Sequence, residues 1–165
     1  MLQVALVEPE IPPNTGNVGR LCAATGARLH LVGRLGFQMD DKTLRRAGMD
    51  YWQHLDWHRH AAFADFEEYL AKGDCAGRLV CFTTRTDRPY TSIRYQPGDC
   101  LVFGSESRGL APEILSRHHA LAVTLPMPGK EGPAGRAVRS INLATAVAVG
   151  LYEGLRQIHG WQGPA

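Results

Sequence analysis

Apolar positions along this chain fall into short blocks separated by polar, glycine- and proline-rich stretches. Leu2 to Val7 is apolar apart from Gln3. It is too short for a helix and typical of a strand buried on both faces. Ile11-Pro12-Pro13 breaks the run, and Asn14 is placed as the N-cap of a helix reaching about Ala24, stopped by Gly26. Arg28 to Val32 alternates into a second strand. Asp40 is placed to cap a short helix through Arg46, ended by Gly48. Tyr51 to His60 is ambiguous and is taken as a short strand. Phe63, Phe66 and Leu70 share one helical face that Gly73 ends. Arg78 to Thr83 and Asp99 to Phe103 are further strands, joined by Arg85 to Pro97, a polar loop of a length that often carries function. Pro112 to Arg117 predicts a short helix, Ala120 to Leu125 a last strand, and Ser140 to Ile158 a closing helix. Strands alternating with helices predict an α/β fold, a mostly parallel sheet with helices on both faces. With no repeat and no linker, residues 1–165 are expected to form one domain.

Composition narrows the setting more than the chemistry. A chain of 165 residues buries roughly 70% of its unfolded surface. No apolar run approaches the roughly 20 residues of a membrane span, and no signal pattern opens the chain, so a cytoplasmic location is expected. Cys22, Cys75, Cys81 and Cys100 lack CxxC spacing and read as free thiols, mostly buried. The net charge of +2 argues weakly for nucleic acid. Fifteen arginines against three lysines suit phosphate forks and base stacking, and a coding bias explains them equally well.

Three segments carry candidate chemistry. Asn14-Thr15-Gly16-Asn17-Val18-Gly19-Arg20 follows a strand and opens a helix, where a dinucleotide-binding turn would sit. The first glycine of GxGxxG is replaced by Asn14, and Gly33-Arg34 stands where an acidic ribose partner belongs, which disfavours a nicotinamide cofactor. Gly104-Ser105-Glu106-Ser107-Arg108-Gly109-Leu110 follows a strand end, the usual ligand edge of open α/β sheets. Its glycines do not match GxSxG, which excludes a nucleophile elbow. Arg139-Ser140-Ile141-Asn142-Leu143 leads from a Gly/Pro-rich loop into a small-residue helix, with polar groups gathered at a helix N-terminus.

In this order and spacing the three segments resemble the motifs of SPOUT-superfamily RNA methyltransferases. Glu8-Pro9-Glu10-Ile11-Pro12-Pro13 before the first motif, and Asp41-Lys42-Thr43-Leu44-Arg45-Arg46-Ala47-Gly48-Met49-Asp50-Tyr51 after it, are similar to the small tRNA (cytidine/uridine-34-2′-O)-methyltransferases. The resemblance covers nearly the whole chain. It implies a C-terminal trefoil knot, S-adenosylmethionine as cofactor and 2′-O-methylation of the wobble ribose. Cofactor contacts implied by it are Phe82, Thr83, Gly104, Glu106, Leu125, Met127, Ser140 and Leu143. Catalytic roles fall to Arg20, Glu106, Ser140 and Asn142. A guanidinium is effectively always protonated, so Arg20 suits phosphate orientation and oxyanion stabilisation better than proton abstraction.

RNA contacts are expected from Asn14, Asn17, Arg20, Arg45, Arg46, Arg85 and Arg108, with Arg34, Lys42 and Arg88 as further basic candidates. Trp52, Trp57 and Tyr90 are candidates for base stacking, with core packing as the competing role. The family likeness also implies a homodimer in which Arg20 reaches a neighbouring subunit's site. Small Ala144, Ala146, Ala148 and Gly150, with Val147, Leu151 and Leu155, are read as its helical contact face or as packing on the chain's own sheet. No metal is expected: the histidines lack ligand spacing and methyl transfer needs none. The Met127–Val138 loop is longer than in the family pattern. The competing readings are the same chemistry on ribosomal RNA or another tRNA ribose, and a catalytically silent RNA-binding module.

Overall fold

The computed structural model of the chain describes residues 1–38, 50–72, 77–131 and 138–161. Six strands, β1 (Gln3–Val7), β2 (Arg28–Val32), β3 (Trp57–His60), β4 (Leu79–Phe82), β5 (Cys100–Phe103) and β6 (Ala122–Val123), form one sheet in the order β3-β2-β1-β5-β4-β6. Every pairing is parallel. Four α-helices are described: α1 (Pro12–Thr25), α2 (Phe63–Lys72), α3 (Pro112–Arg117) and α4 (Leu143–His159). None is long and apolar enough to cross a membrane.

Strand alternation divides the core in two. Leu2, Val4, Leu6, Leu29, Leu31 and Leu101 face one side, where Val18 and Cys22 of α1 and Val147, Leu151 and Leu155 of α4 cover them. Ala5, Val7, Val32, Cys81 and Val102 face the other, under Phe66 and Leu70 of α2 and Ile114 of α3. Each fully buried leucine or valine contributes about 1.5–3 kcal/mol. A sheet buried on both faces explains why β1 carries no polar side other than Gln3. Cys22, Cys81 and Cys100 are buried free thiols, and burial raises the first two to about 12. Cys75 lies outside the described residues, as does the predicted helix from Asp40.

Several local expectations are corrected. Helix α1 begins at Pro12, with Ile11 as N-cap, rather than at Asn14. The two prolines fit the first turn, where their fixed φ matches the helix and their missing N–H groups would be unpaired anyway. This puts Asn14 inside the helix. Tyr51–His60 splits into a 3-10 turn, Asp50–His54, and strand β3. Strand β6 has two residues rather than six, and α4 starts at Leu143 because Asn142 caps it by accepting the Thr145 N–H at 3.2 Å. Val147, Leu151 and Leu155 are buried in the chain's own core and are not a contact face. Gly150 and Gly154 complete that packing: a Cβ at either position would press on Phe82 or Leu2 at 2.7 Å. The larger apolar side chains that α4 leaves exposed are Val149 and Tyr152. Gly19 abuts Trp52, which is buried, and Trp57 and Tyr90 pack against the same core rather than presenting free faces.

One buried polar chain crosses the second core. Gln3 donates to the Gly98 carbonyl at 3.0 Å, so its side-chain oxygen accepts from His30 Nε2 at 2.9 Å. His30 Nδ1 is thereby left as acceptor, and His60 Nε2 donates to it at 3.0 Å. Burial, then the neighbouring His60 and His58, lowers the His30 pKa to about 3, and burial also lowers His60. The unfolded chain takes up these protons near pH 6.5 while the native chain refuses them. Stability is therefore full above that value and falls as pH drops toward 3. Urea unfolding at pH 7 and pH 5 is expected to show a loss of about 2 kcal/mol from His30; equal stability at the two values contradicts this.

A candidate active site at the carboxyl edge of the sheet

The chain leaves β1 toward β2 and β3 on one side, whereas β5 and β4 lie on the other. The order therefore reverses between β1 and β5, and an open α/β sheet forms its ligand crevice beyond such a point. Two connections emerge there: residues 8–11 leading into α1, and the turn 104–110 after β5. They are tied reciprocally. The Glu106 carboxylate accepts the Glu10 and Ile11 N–H groups at 2.8 and 3.3 Å and the Asn14 side-chain amide at 2.9 Å. The Glu10 carboxylate in turn accepts the Ser107 N–H at 3.0 Å and its hydroxyl at 2.7 Å. Charge-assisted bonds of this kind are roughly twice as strong as neutral ones.

The turn itself closes through Gly109, whose N–H donates to the Ser105 carbonyl at 2.8 Å and whose φ of 69° needs no side chain. A Cβ on Gly104 would overlap the Gly109 and Leu110 backbone. Glycine at 104 is thus required where the turn folds back on its own strand. The third segment joins through Asn142, whose amide donates to Asn14 Oδ1 at 2.9 Å while its oxygen caps α4. Asn14 is the middle of a relay, Glu106–Asn14–Asn142, that fastens the three segments together.

A cleft of about 790 Å³ opens where they meet. Cofactor sites occupy roughly 300–1,000 Å³. Phe82 and Phe103, stacked at 4.5 Å, with Leu125, Met127, Leu143 and Ala146 give it an apolar wall. Thr83, Ser140 and Glu106 bring polar groups to the same space, and Arg85, Arg108 and Arg139 border it.

The cofactor-contact set read from the sequence, Phe82, Thr83, Gly104, Glu106, Leu125, Met127, Ser140 and Leu143, lines this one cleft, as do Asn142, Arg85 and Arg108. Asn14 lines it too, but both ends of its amide engage protein partners. Asn17 is exposed on α1, outside the lining. Arg20 is exposed, its guanidinium 4.9 Å from the centre of the Tyr51 ring, and does not line the cleft of its own chain. Arg88 holds the 85–97 loop, donating to Ser92 and to the Ala120 carbonyl. Lys42, Arg45 and Arg46 lie outside the described residues. Sequence reasoning gave no role to Glu10, Ile11, Thr124 and Arg139. The available signal for Glu10 was an acid between a buried strand and a Pro-Pro helix start; Arg139 opens the third segment and was given no role.

Comparison with known proteins is consistent from end to end. Residues 1–152 match the SpoU rRNA Methylase family. A tRNA (cytidine(34)-2′-O)-methyltransferase of Polaromonas sp. is 47% identical over 163 residues, covering 99% of this chain and 94% of its own. The protein of the same description from Escherichia coli is 43% identical over 164 residues, covering 99% and 97%. Among solved structures, one from work on 2-OH methylation of C/U34 on tRNA superposes with a TM-score of 0.85 at 45% identity, covering 98% of each chain. The SpoU methyltransferase AviRb from Streptomyces viridochromogenes, solved with AdoMet, gives 0.78 at 25% identity over 95% of this chain and 60% of its own. The chain that folds its three motif segments into this cleft belongs to the SpoU methylase family of the SPOUT superfamily.

Proposed function

We propose that this chain methylates the ribose 2′-OH of the tRNA wobble nucleotide, cytidine or uridine at position 34, using S-adenosylmethionine. The observation that carries the reading is the convergence of all three motif segments on one cleft, in a chain matching wobble-ribose methyltransferases over its full length. The family model is described by rRNA, but the full-length relatives above are tRNA enzymes.

The cleft suits the cofactor. Phe82, Leu125 and Leu143 line the cleft with apolar side chains that suit the face of adenine, with Thr83 and Ser140 offering hydrogen bonds in the same space. When bound, S-adenosylmethionine supplies a methyl group already activated by its sulfonium. The residues then have to position the hydroxyl, exclude water and manage the charge that develops on oxygen. Glu106 has its carboxylate occupied by three donors, so it acts by holding the loops rather than as a base. Asn142 positions the cleft in the same way through Asn14.

The cation at the reacting oxygen is Arg20, and it comes from a second copy. On its own chain it stands away from the cleft, over Tyr51, so a homodimer places Arg20 of the partner subunit against the ribose. Val149 and Tyr152, exposed on α4, with Ile11 and Ile141 beside the cleft, supply apolar surface for that contact. The same reading takes residues 1–165 as one cytoplasmic domain whose C-terminal segment is threaded as a trefoil knot, and needs no metal.

Incubation with tRNA and labelled cofactor, followed by mass mapping, is expected to place one methyl on the ribose of nucleotide 34; methyl on bases alone, or on no tRNA, overturns the proposal. Arg20→Ala is expected to lower turnover by about 100-fold or more while cofactor affinity stays within about twofold; full turnover rejects its role. Glu106→Ala strands three donors and is expected to weaken cofactor binding at least about tenfold by calorimetry, whereas unchanged binding shows that the loops hold without it.

A further inference from the structure

The other half of the sheet opens a second hollow, of about 780 Å³, beside the first. Glu8 beyond β1, Arg34 beyond β2 and Phe63 beyond β3 wall it, and the turn after β5 closes it. Arg85, Ser105 and residues 107–110 line both hollows, so that turn is a shared partition rather than the edge of a site. A strand reaching the cofactor cleft from this side must cross it.

The charge of the second hollow is unbalanced. Arg34, Arg85 and Arg108 face a single carboxylate, Glu8, which sits 3.5 Å from the Arg108 guanidinium. Among the described residues Arg34 and Arg85 form no ion pair. The Glu8–Arg108 pair is exposed at both ends and worth little, so a phosphate can displace it. Glu8 is also the one non-glycine residue with positive φ among the described residues, at 51°. Its N–H donates to the Val32 carbonyl at 2.8 Å, and Gly33 leaves room for its side chain, since a Cβ there would lie 2.9 Å from Glu8 Cγ. Strained backbone of this kind persists where neighbours enforce it, commonly at binding sites. Here it aims a carboxylate across the hollow at Arg108.

We infer that the second hollow holds the RNA nucleotide flanking the methylated ribose, with Arg34, Arg85 and Arg108 taking its phosphates and Phe63 walling its base. The inference rests on the reading that the chain methylates RNA. A lone inorganic anion would leave nearly all of the space unfilled, whereas a nucleotide takes up far more of it and remains continuous with the reacting sugar.

Arg34 tests this because it lines only the second hollow. Two anticodon stem-loop RNAs are compared, one natural and one with neutral methylphosphonates on both sides of the target nucleotide. On the natural RNA, Arg34→Ala is expected to raise KM about tenfold and to reduce the salt slope of binding by about 0.7. Arg34→Lys is expected to restore most of the loss. On the neutral-linkage RNA the wild-type chain and Arg34→Ala are expected to share one KM. An equal defect on both RNAs, no defect on the natural one, or a parallel loss of cofactor affinity overturns the subsite. A wild-type chain that methylates neither RNA overturns instead the reading beneath it.

Discussion

The carboxylate of Glu106 is the point on which the site depends. It lies beyond β5, yet two of its donors belong to the connection beyond β1 and the third, Asn14, to the first turn of α1. These two strands are neighbours at the point where the strand order reverses. A reversal leaves a gap where two connections diverge, and an anion offered by one and N–H groups by the other draw that gap into a rim. Glu10 answers in the opposite sense by binding Ser107. Asn14 then carries the tie onward to Asn142, which is already engaged as a helix cap. Three segments separated by up to 128 residues thus share one hydrogen-bond relay, and the cleft is the space that relay frames.

Much of this was legible in the residues. Mostly apolar blocks such as Leu2–Val7 and Asp99–Phe103 announced strands, the first as covered on both faces, and the parallel order followed from their alternation with helices. The residues that line one cleft came from ordered motifs, not from periodicity, because no local pattern reveals which loops meet across a sheet. The errors have local physical causes. Asn14 looked like an N-cap because its type favours that place, but Pro12 and Pro13 start the helix earlier and free Asn14 for tertiary bonds. Val147, Leu151 and Leu155 looked equally suited to a partner or to the sheet; Gly150 and Gly154 allow the closer approach to the sheet that decides it. Glu10 escaped notice because a carboxylate that anchors a distant turn carries no signature within its own segment.

The division of labour follows from where charge resides. Among the described residues, the carboxylates of Glu10 and Glu106 at the cleft are occupied in holding the loops, which leaves neither free as a strong base. Cations instead border the opening, at Arg85, Arg108 and Arg139. Such a site suits a donor that arrives activated and an acceptor that arrives as a polyanion: the protein holds position and sign, and the reagents bring the reactivity. The acid-sensitive histidine chain under β1 is separate from this chemistry. It joins β1, β2 and β3 through side chains, steadying the half of the sheet away from β4 and β5.

The most direct test of the relay is a double-mutant cycle on Asn14→Ala and Asn142→Ala, reading the dissociation constant of S-adenosylmethionine by calorimetry. If the two amides act as one link, the double variant binds about as weakly as the worse single variant, with a coupling of about 1 kcal/mol. Strictly additive losses, or wild-type affinity in either single variant, would show that the three segments are held together by something else.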